Sequence, residues 1–420
     1  MSMNYHTVVI GGGCLGCACA FSIQKRLGKK AGQVAIVEKK VLGAGLSSRH
    51  SAIVRSANAS PMAARMAKQA TAYWKKLKPL WGIDMPFEQS GAIWIAANQG
   101  RQSSQKWSAL ENAMAAEDID FRMLSHLEVE KLCGKAIKIV PEENYYYEPE
   151  VLQLDSSQIL NAIQSAARRN KIDVIEHCEV VDFSCDSRHN IEAIKTNQGE
   201  IRCQNIVNAT GAWSAELFAG MDIEIPVALE PVYAANFLLS TQDIPVTLPI
   251  IADFVNRAYF RRWRGSILHM HQPRSRSPKD IASSFSRALM NPEGANVIYD
   301  ASSFNVNYQQ LEDYLLKVQQ RFPNIGRPVY AGGYRSFFDI TPDLKFILGP
   351  DHRSTNLYHC LGAGQSLKYA PIFGEIIARL ITGTGKVKED IDITEFSIER
   401  FSKKPISDFW QGTEQDAQAL

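Results

Sequence analysis

The stretch "TVVIGGGCLGCACAFSIQKR", residues 7–26, decides the fold, because its pattern predicts a buried strand, a tight turn and a helix. Gly11, Gly13 and Gly16 have the spacing G-x-G-x-x-G. The first glycine permits the turn, the second lets a phosphate approach the backbone, and the third lets the helix pack closely on the strand. The free N–H groups of the first helical turn favour a phosphate at that end of the helix.

A second strand, "QVAIVEKK" at residues 33–40, includes Glu38 and Lys39 at its end. Glu38 lies about twenty residues past the third glycine, where such folds place a carboxylate that accepts the ribose hydroxyls. Strand, glycine turn, helix, strand and acid together predict a dinucleotide-binding site. The pattern by itself does not separate NAD from FAD.

The next segment, "GLSSRHSAIVRSAN" at residues 45–58, is unusually rich in basic and hydroxyl side chains for a surface loop. It connects the predicted nucleotide-binding sheet to a long amphipathic helix that begins near Ser60. Loops at the carboxyl ends of parallel strands are where such folds bind ligands. We therefore expect this loop to carry Ser47, Ser48, His50 and Arg55 into a binding site.

Composition excludes several classes of protein. The chain has 420 residues, 45% of them hydrophobic and 21% charged, and a formal net charge of +2, which gives no general bias toward nucleic acid. No apolar run reaches the length of a membrane span. The eight cysteines have no framework spacing, and the motif formed by Cys14 and Cys17 is interpreted as helix packing, so we predict no metal site. These features favour a cytoplasmic protein with reduced thiols.

The motifs together resemble the D-amino-acid-oxidase-like family of FAD-dependent oxidoreductases, nearest the branch of the sarcosine oxidase beta subunit and dimethylglycine dehydrogenase. "RHSAIVRSAN" is similar to that branch's "RNTTIIRSNY". Three later segments also resemble family motifs, so that the resemblance covers most of the chain. They are "QNIVNATGAWS" (204–214), "ITPDLKFILGP" (340–350) and "NLYHCLGAGQSLKYAPIFGEIIARLITG" (356–383).

The resemblance implies an α/β fold, α+β overall, with a Rossmann-like FAD-binding domain of the glutathione-reductase type and a second, antiparallel-sheet substrate domain. The FAD-binding domain is expected to be discontinuous, at residues 1–84, 150–225 and 330–400. The substrate domain is expected at 85–149 and 226–329. Within it, residues 271–296 are expected to form a long surface excursion, and residues 401–420 are expected to form a C-terminal tail outside both domains.

FAD is the cofactor that the resemblance implies. Some family members attach the flavin covalently through a histidine in the loop that holds His50; the alternative is a histidine that hydrogen-bonds or packs beside the ring, and we expect a non-covalent flavin. Ser336 stands where the monomeric sarcosine oxidases carry their flavin-linked cysteine, which excludes that linkage. The expected cofactor-binding residues are Gly11, Gly13, Gly16, Glu38, Lys39, Ser47, Ser48, His50, Val180, Ala209, Gly211, Trp213, Gly362, Gly364, Gln365, Ser366 and Lys368.

The resemblance also implies the residues that contact the substrate. Arg55 and Lys368 match two family cations that bind a substrate carboxylate, and Arg335 matches an arginine that faces the substrate in other branches. The stretch "RAYFRRWRGSILHMHQ", residues 257–272, resembles the strand that roofs the active site. It carries the remaining expected catalytic residues, Tyr259, His269 and His271.

The implied activity is oxidation of a C–N bond in a small secondary or tertiary amino acid, such as sarcosine, dimethylglycine or a cyclic amino acid. The monomeric oxidases carry an oxygen-activating lysine on the roof strand, and Ile267 or a neighbour stands there, which favours a dehydrogenase. Two alternatives stay open. One is a 2-hydroxy-acid dehydrogenase that uses His269 or His271 as its base; the other is the flavin subunit of a larger electron-transfer complex with a partner subunit.

Overall fold

The computed structural model of the protein describes residues 3–28, 33–98, 101–221, 223–239, 244–272, 306–383, 391–403 and 405–409. Within these residues the strands form two eight-stranded sheets and one three-stranded sheet. Nearly all of the expected surface excursion and residues 410–420 of the expected tail lie outside the described residues. No helix in the described ranges is long and apolar enough to cross a membrane.

The first sheet has a parallel centre, in which β1 pairs with both β2 and β12, and further parallel pairs join β2 to β9 and β12 to β19. The remaining pairs, at β10, β11 and β18, are antiparallel. This arrangement confirms the predicted Rossmann-like fold. The strands are β1 (Met3–Ile10), β2 (Val34–Val37), β9 (Asp173–Ile175), β10 (Val180–Cys185), β11 (Ile191–Thr196), β12 (Gly199–Asn208), β18 (Ile347–Pro350) and β19 (Leu357–Leu361).

Helices complete the structure, and the predicted start of a helix near Ser60 is confirmed. The hydroxyl of Ser60 accepts from the amide of Ala63 at 3.3 Å, and Asp155 accepts from the amide of Ser157 at 2.9 Å. The helices are α1 (Cys14–Leu27), α2 (Pro61–Trp74), α3 (Leu77–Trp81), α4 (Arg101–Ala116), α5 (His126–Cys133), α6 (Ser156–Arg169), α7 (Ser214–Ala219), α8 (Tyr308–Arg321), α9 (Ser366–Thr382) and α10 (Ile406–Phe409).

Helices α1 and α9 pack against each other on one face of the first sheet. The backbone of Gly374 in α9 lies so close to α1 that a Cβ there would come within 2.4 Å of the carbonyl oxygen of Ala18. This close packing fixes the start of α9 relative to the glycine turn before α1, although the two helices are far apart in sequence.

The second sheet has the order β17-β13-β16-β15-β14-β5-β7-β6. Its neighbours are antiparallel, as predicted, except that β14 runs parallel to β5. The residue boundaries of the two domains stay a prediction. The strands are β5 (Ala92–Ala97), β6 (Arg122–Leu124), β7 (Glu143–Glu148), β13 (Ala228–Leu238), β14 (Ile250–Asp253), β15 (Ala258–Trp263), β16 (Ile267–His271) and β17 (Val329–Ile340).

The stretch at residues 257–272, which the sequence predicts as one roof strand, is a hairpin of two strands, β15 and β16. Arg264 and Gly265 form the turn, and both have positive φ values, of 46° and 77°. The single-strand prediction was wrong because this left-handed turn reverses the chain. Ile267 therefore lies at the hairpin's turn end, paired with Trp263 and Leu238.

Strand β7 is held firmly at its first residue. The guanidinium of Arg321, on α8, donates to Glu143 Oε1 at 2.7 Å and to Asp253 Oδ2 at 2.6 Å. All three side chains are buried. A small third sheet then joins the loop after β2 to the segment after β7; it contains β3 (Ile53–Val54), β4 (Glu88–Gln89) and β8 (Leu152–Gln153).

Candidate active site

A cavity of about 720 Å³ lies between the first and second sheets. One side is formed by the turns that follow β1, β2 and β12, and the other by residues of β15, β16 and β17. Its size is that of a cofactor- or ligand-binding pocket, and it lies at the carboxyl ends of the parallel strands, as the sequence predicts.

The glycine turn forms the nucleotide end of this cavity. Gly11 has φ +103°, a left-handed conformation that favours glycine. A Cβ on Gly16 would lie 1.9 Å from the carbonyl oxygen of Gly11, so the third glycine permits the helix to pack on the turn. Gly13 is the N-cap residue of α1 and, as a glycine, has no side chain to cap the helix. The amide of Cys14 donates to Ser47 Oγ at 2.9 Å, which brings the following loop beside the helix N-terminus.

Glu38 lies at the end of β2 and lines the same cavity. Its Oε2 accepts from the amide of Gly12 at 2.7 Å, and its Oε1 accepts from the amide of Lys40 at 2.8 Å. Each oxygen keeps a second lone pair, so the carboxylate is held in place and can still accept from ribose hydroxyls. Lys39 and Val180 line the cavity beside it.

A buried hydrogen-bond network fixes the turn after β12. The side-chain oxygen of Asn208 accepts from the hydroxyl of Thr210 at 2.7 Å, and its Nδ2 lies 3.1 Å from Nδ1 of His359. Nε2 of His359 lies 2.8 Å from Asp351 Oδ2. Burial lowers the pKa of His359, although the bond to Asp351 opposes this. The cavity-lining residues that this network supports are Ala209, Thr210, Gly211, Ala212 and Trp213.

The start of α9 forms a third wall of the cavity. The carboxylate of Asp339 accepts from the amide of Gly364 at 2.9 Å and holds the chain that leads into the helix. Gln365, Ser366 and Lys368 line the cavity. The side-chain oxygen of Gln365 is buried and has no hydrogen-bond partner among the described residues. An acceptor of this kind fits a ligand that offers N–H or O–H groups.

Two cationic side chains share the far part of the cavity. The ammonium of Lys368 is buried, lies 4.8 Å from the ring centroid of Tyr369, and has no hydrogen-bond partner in the part of the chain that the structure describes. Burial first, and then the charge of Arg55, hold the pKa of Lys368 well below its ordinary value. The guanidinium of Arg55 lies 5.1 Å from the centroid of Trp94. A buried, unpaired ammonium beside a guanidinium forms a subsite suited to a carboxylate.

Two neutral histidines also line the cavity. Nδ1 of His271 lies 2.7 Å from Ser51 Oγ, and its ring stacks on Tyr259 with centroids 4.8 Å apart. Nδ1 of His50 accepts from the amide of Ala52 at 3.0 Å. Burial, together with the charge of Arg261, lowers the pKa of His271 to about 3 and that of His50 to about 4. Both rings are therefore uncharged at neutral pH.

Five of the predicted site residues do not line the cavity: Gly16, Ser48, His269, Arg335 and Gly362. Gly16 and Gly362 are packing positions; a Cβ on Gly362 would lie 1.7 Å from Ser366 Oγ. The hydroxyl of Ser48 donates to the carbonyl of Gly45 at 3.0 Å. His269 lies behind His271, with Nδ1 2.8 Å from the side-chain oxygen of Asn236.

Arg335, a predicted substrate contact, lies on β17 and does not line the cavity. Its guanidinium lies over the rings of Tyr233 and Phe337, at 5.7 and 5.0 Å from their centroids. Its neighbours on β17, Tyr334 and Ser336, line the cavity instead. Phe337, which shares a face of β17 with Arg335, also lines the cavity. The substrate contact of Arg335 therefore stays a prediction.

Several cavity residues were missed by the sequence analysis. Ser51 belongs to the loop that the sequence singled out, and its hydroxyl is one of four in that loop. Tyr334, Ser336, Phe337 and Phe338 belong to β17, and only the tertiary fold shows that this part of the strand borders the cavity. Phe254 and Asp339 carry no local signal, because tertiary packing alone brings them to the cavity.

A family model described as "FAD dependent oxidoreductase" matches residues 6–380. The chain belongs to this family. The glycine turn, the N-terminus of α1 and the carboxylate of Glu38 fit the pyrophosphate and ribose of a dinucleotide. The side-chain oxygen of Gln365, which has no hydrogen-bond partner among the described residues, fits the N–H group of a flavin ring. FAD therefore fits this cavity.

Known relatives are distant. The chain is 25% identical over 81% of its length to the mitochondrial pyruvate dehydrogenase phosphatase regulatory subunit of Mus musculus, and 26% identical over 55% to sarcosine oxidase subunit beta of an Arthrobacter species. These matches cover 37% and 57% of the relatives, so the chain spans about half the length of the curated relatives that it matches. L-proline dehydrogenase from P. horikoshii shares the fold, with a TM-score of 0.79, 19% identity, and coverage of 96% of this chain and 99% of that chain.

Proposed function

We propose that this FAD-dependent oxidoreductase oxidises a C–N bond of a small secondary or tertiary amino acid, such as sarcosine, dimethylglycine or a cyclic amino acid. The observation that carries the proposal is the pair of cations, Arg55 and Lys368, at one cavity. The buried ammonium of Lys368 has no hydrogen-bond partner among the described residues, and a ligand carboxylate would supply one. The name of one relative, sarcosine oxidase subunit beta, is in accord with a substrate of this class.

The residues proposed to hold FAD are those of the glycine turn, the ribose carboxylate, the turn after β12 and the start of α9. When bound, FAD supplies the acceptor for the hydride equivalent that leaves the substrate. The protein's contribution is to bind, orient and desolvate the reactants. The proposed contacts among the cavity-lining residues are Gly11, Gly13, Glu38, Lys39, Ser47, His50, Val180, Ala209, Gly211, Trp213, Gly364, Gln365, Ser366 and Lys368.

In this proposal Arg55 and Lys368 bind the substrate carboxylate and thereby fix the carbon and nitrogen atoms next to it. Orientation of this kind lowers the entropic part of the barrier. The positive charges of Arg55 and Lys368 disfavour a protonated amine near by, and the neutral His271 and His50 offer no negative charge to stabilise one, so that an unprotonated amine is the favoured bound form. With the amine neutral, no dedicated general base is required.

We propose a dehydrogenase rather than an oxidase. The lysines among the described residues that line the cavity are Lys39, at the nucleotide end, and Lys368, in the carboxylate subsite. Lys39 is paired with Glu179. Neither position offers a spare ammonium on the roof, where the resemblance places the oxygen-activating lysine of the monomeric oxidases.

The 2-hydroxy-acid alternative requires a base beside the substrate hydroxyl. His271 lies in the cavity, but a pKa lowered to about 3 makes its imidazole a weak base at neutral pH. His269 lies behind it and does not line the cavity. The positions and pKa directions of these histidines therefore favour the amine.

A role as the flavin subunit of a larger complex is the second candidate. Both curated relatives named above carry the word subunit in their names, and the matches cover 37% and 57% of their lengths. In this case the purified chain would hold FAD, and a partner would be needed for turnover.

The proposal is tested with matched compounds under anaerobic conditions. Sarcosine and its methyl ester share the amine and the C–H bond, and only sarcosine carries the carboxylate. We expect the flavin of the FAD-loaded protein to be reduced by an N-methyl or cyclic amino acid and much more slowly by its ester. Equal reduction by acid and ester would exclude the carboxylate subsite. Reduction by 2-hydroxy acids alone would favour the alternative chemistry.

A further inference from the structure

Glu148, the last residue of β7, is a carboxylate for which the proposed reaction has no role. Its exposed fraction is 0%. Oε1 accepts from the amide of Ser56 at 2.5 Å and from the amide of Ala57 at 3.2 Å. Oε2 is buried and has no hydrogen-bond partner among the described residues. Burial of a carboxylate oxygen without a hydrogen bond costs free energy, so nearby positive charge is needed to stabilise the ionised group.

The two amides that Glu148 binds follow Arg55 directly in the chain. Nη1 of Arg55 donates to the carbonyl oxygen of Ala57 at 2.5 Å, which folds its side chain back over the same turn. Glu148 therefore accepts hydrogen bonds from the amides of this turn, and the guanidinium of Arg55 donates one to a carbonyl of the same turn. The direction of the guanidinium depends on where these amides are held.

Charge links Glu148 to both cations of the subsite. Burial raises the pKa of Glu148, while the bonds from Ser56 and Ala57 and the charges of Arg55 and Lys368 act in the opposite direction. In turn, the charge of Glu148 favours the protonated form of Lys368, against the larger effect of burial. With Lys368 protonated, two positive charges and one negative charge leave the subsite with a single unbalanced positive charge.

We propose that Glu148 is a positioning residue of the carboxylate subsite: it orients Arg55 through the amides of Ser56 and Ala57, and its charge matches the subsite to one carboxylate group rather than two. This inference rests on the proposed function, because it assumes that Arg55 and Lys368 bind a carboxylate. It adds a specificity: monocarboxylic amino acids are accepted and dicarboxylic ones are disfavoured.

The test uses the FAD-loaded protein and two ligands of equal carbon number at neutral pH, propionate and malonate. Binding of each is followed by the perturbation of the visible flavin spectrum. In the wild-type protein we expect propionate to bind more tightly than malonate. Glu148→Gln removes one negative charge with little change in shape. It should shift the ratio of the two dissociation constants toward malonate by about tenfold or more.

Two variants separate charge from structure. Glu148→Asp keeps the charge, so it should preserve the preference for propionate even if both ligands bind more weakly. Glu150→Gln is the matched control, because Glu150 is half-exposed and pairs with Lys75 outside the cavity. It should leave both dissociation constants unchanged. A merely structural role for Glu148 would weaken both ligands in parallel and leave their ratio unchanged.

If Glu148→Gln yields no folded protein, the test compares Lys368→Met with the double variant that also contains Glu148→Gln. Lys368→Met gives the subsite no net charge, and we expect propionate binding to weaken strongly. The double variant Glu148→Gln/Lys368→Met restores one net positive charge and buries no unpaired ion, so propionate binding should recover by about tenfold. Failure to recover would overturn the inference.

The outcomes distinguish the two levels of the argument. If propionate binds the wild-type protein but the ligand ratio is the same in Glu148→Gln, the role of Glu148 is excluded and the carboxylate subsite stands. If neither carboxylate perturbs the wild-type flavin spectrum, the proposed subsite is wrong, and the role of Glu148 fails with it.

Discussion

Nδ1 of His271 lies 2.7 Å from Oγ of Ser51, and this contact joins the roof of the cavity to the loop that follows the nucleotide strand β2. The same loop carries His50 and Arg55, and both side chains line the cavity. The wall opposite is the start of α9, which supplies Lys368. One loop therefore connects the nucleotide end of the cavity to the proposed carboxylate subsite.

Removal of the guanidinium should impair substrate binding. We expect Arg55→Met to raise KM for an amino acid substrate by about 10- to 100-fold, because a hydrogen bond to a charged group contributes roughly 1.5–3 kcal/mol. Steady-state kinetics with the acid and its ester provide the measurement; the ester should be little affected. Arg65→Met, which removes an ion pair with Glu117 outside the cavity, is the control and should leave KM unchanged. An unaltered KM in Arg55→Met would exclude Arg55 as a substrate-binding residue.

Carboxylate affinity should fall as pH rises through the lowered pKa of Lys368. Burial, followed by the charge of Arg55, holds the pKa of Lys368 well below 10.5, and only the protonated ammonium attracts a carboxylate. Affinity is therefore full below this lowered pKa and is lost as pH rises through it, by at most about tenfold per pH unit. Propionate titrations over a pH series measure the effect. Lys368→Met should bind weakly and show no such decline, and the same decline in that variant would assign it to another group.

The third glycine of the nucleotide turn should be intolerant of a methyl group. Gly16→Ala places a Cβ 1.9 Å from the backbone oxygen of Gly11, which cannot move without displacing the turn. We expect loss of bound FAD and a decrease of about 1–3 kcal/mol in the free energy of unfolding. Gly220→Ala is the matched control for the free energy of unfolding, since its Cβ meets no described atom within 4 Å. Normal FAD content in Gly16→Ala would contradict the close packing.

The flavin should be released on denaturation. The amide of Ala52 donates to Nδ1 of His50, so the neutral ring carries its proton on Nε2 and has no free lone pair for a bond to the cofactor. Burial, and then the charge of Arg261, lower the pKa of His50 to about 4, which keeps the ring neutral. After acid denaturation and filtration, we expect FAD fluorescence in the filtrate. Yellow colour that stays with the precipitated protein would establish a covalent link.

The parts of the site that local sequence determines were predictable. The glycine turn, Glu38 and the turn at Ala209–Trp213 each combine a short motif with a strand end, so both their conformation and their direction follow from nearby residues. The position of Arg335 relative to the cavity could not be predicted, because the facing side of β17 depends on its register with β13. Glu148 gave no signal, since only the tertiary fold brings it to the amides that follow Arg55.

The central claim is that a small amino acid with a secondary or tertiary amine reduces the bound flavin. The most direct measurement adds sarcosine, dimethylglycine, proline, D-amino acids and 2-hydroxy acids, one at a time, to the FAD-loaded protein without oxygen, and follows the visible band. We predict bleaching by at least one of the secondary or tertiary amino acids and slow return of the colour in air. A yellow protein that none of them bleaches would contradict the account and would direct attention to a partner subunit.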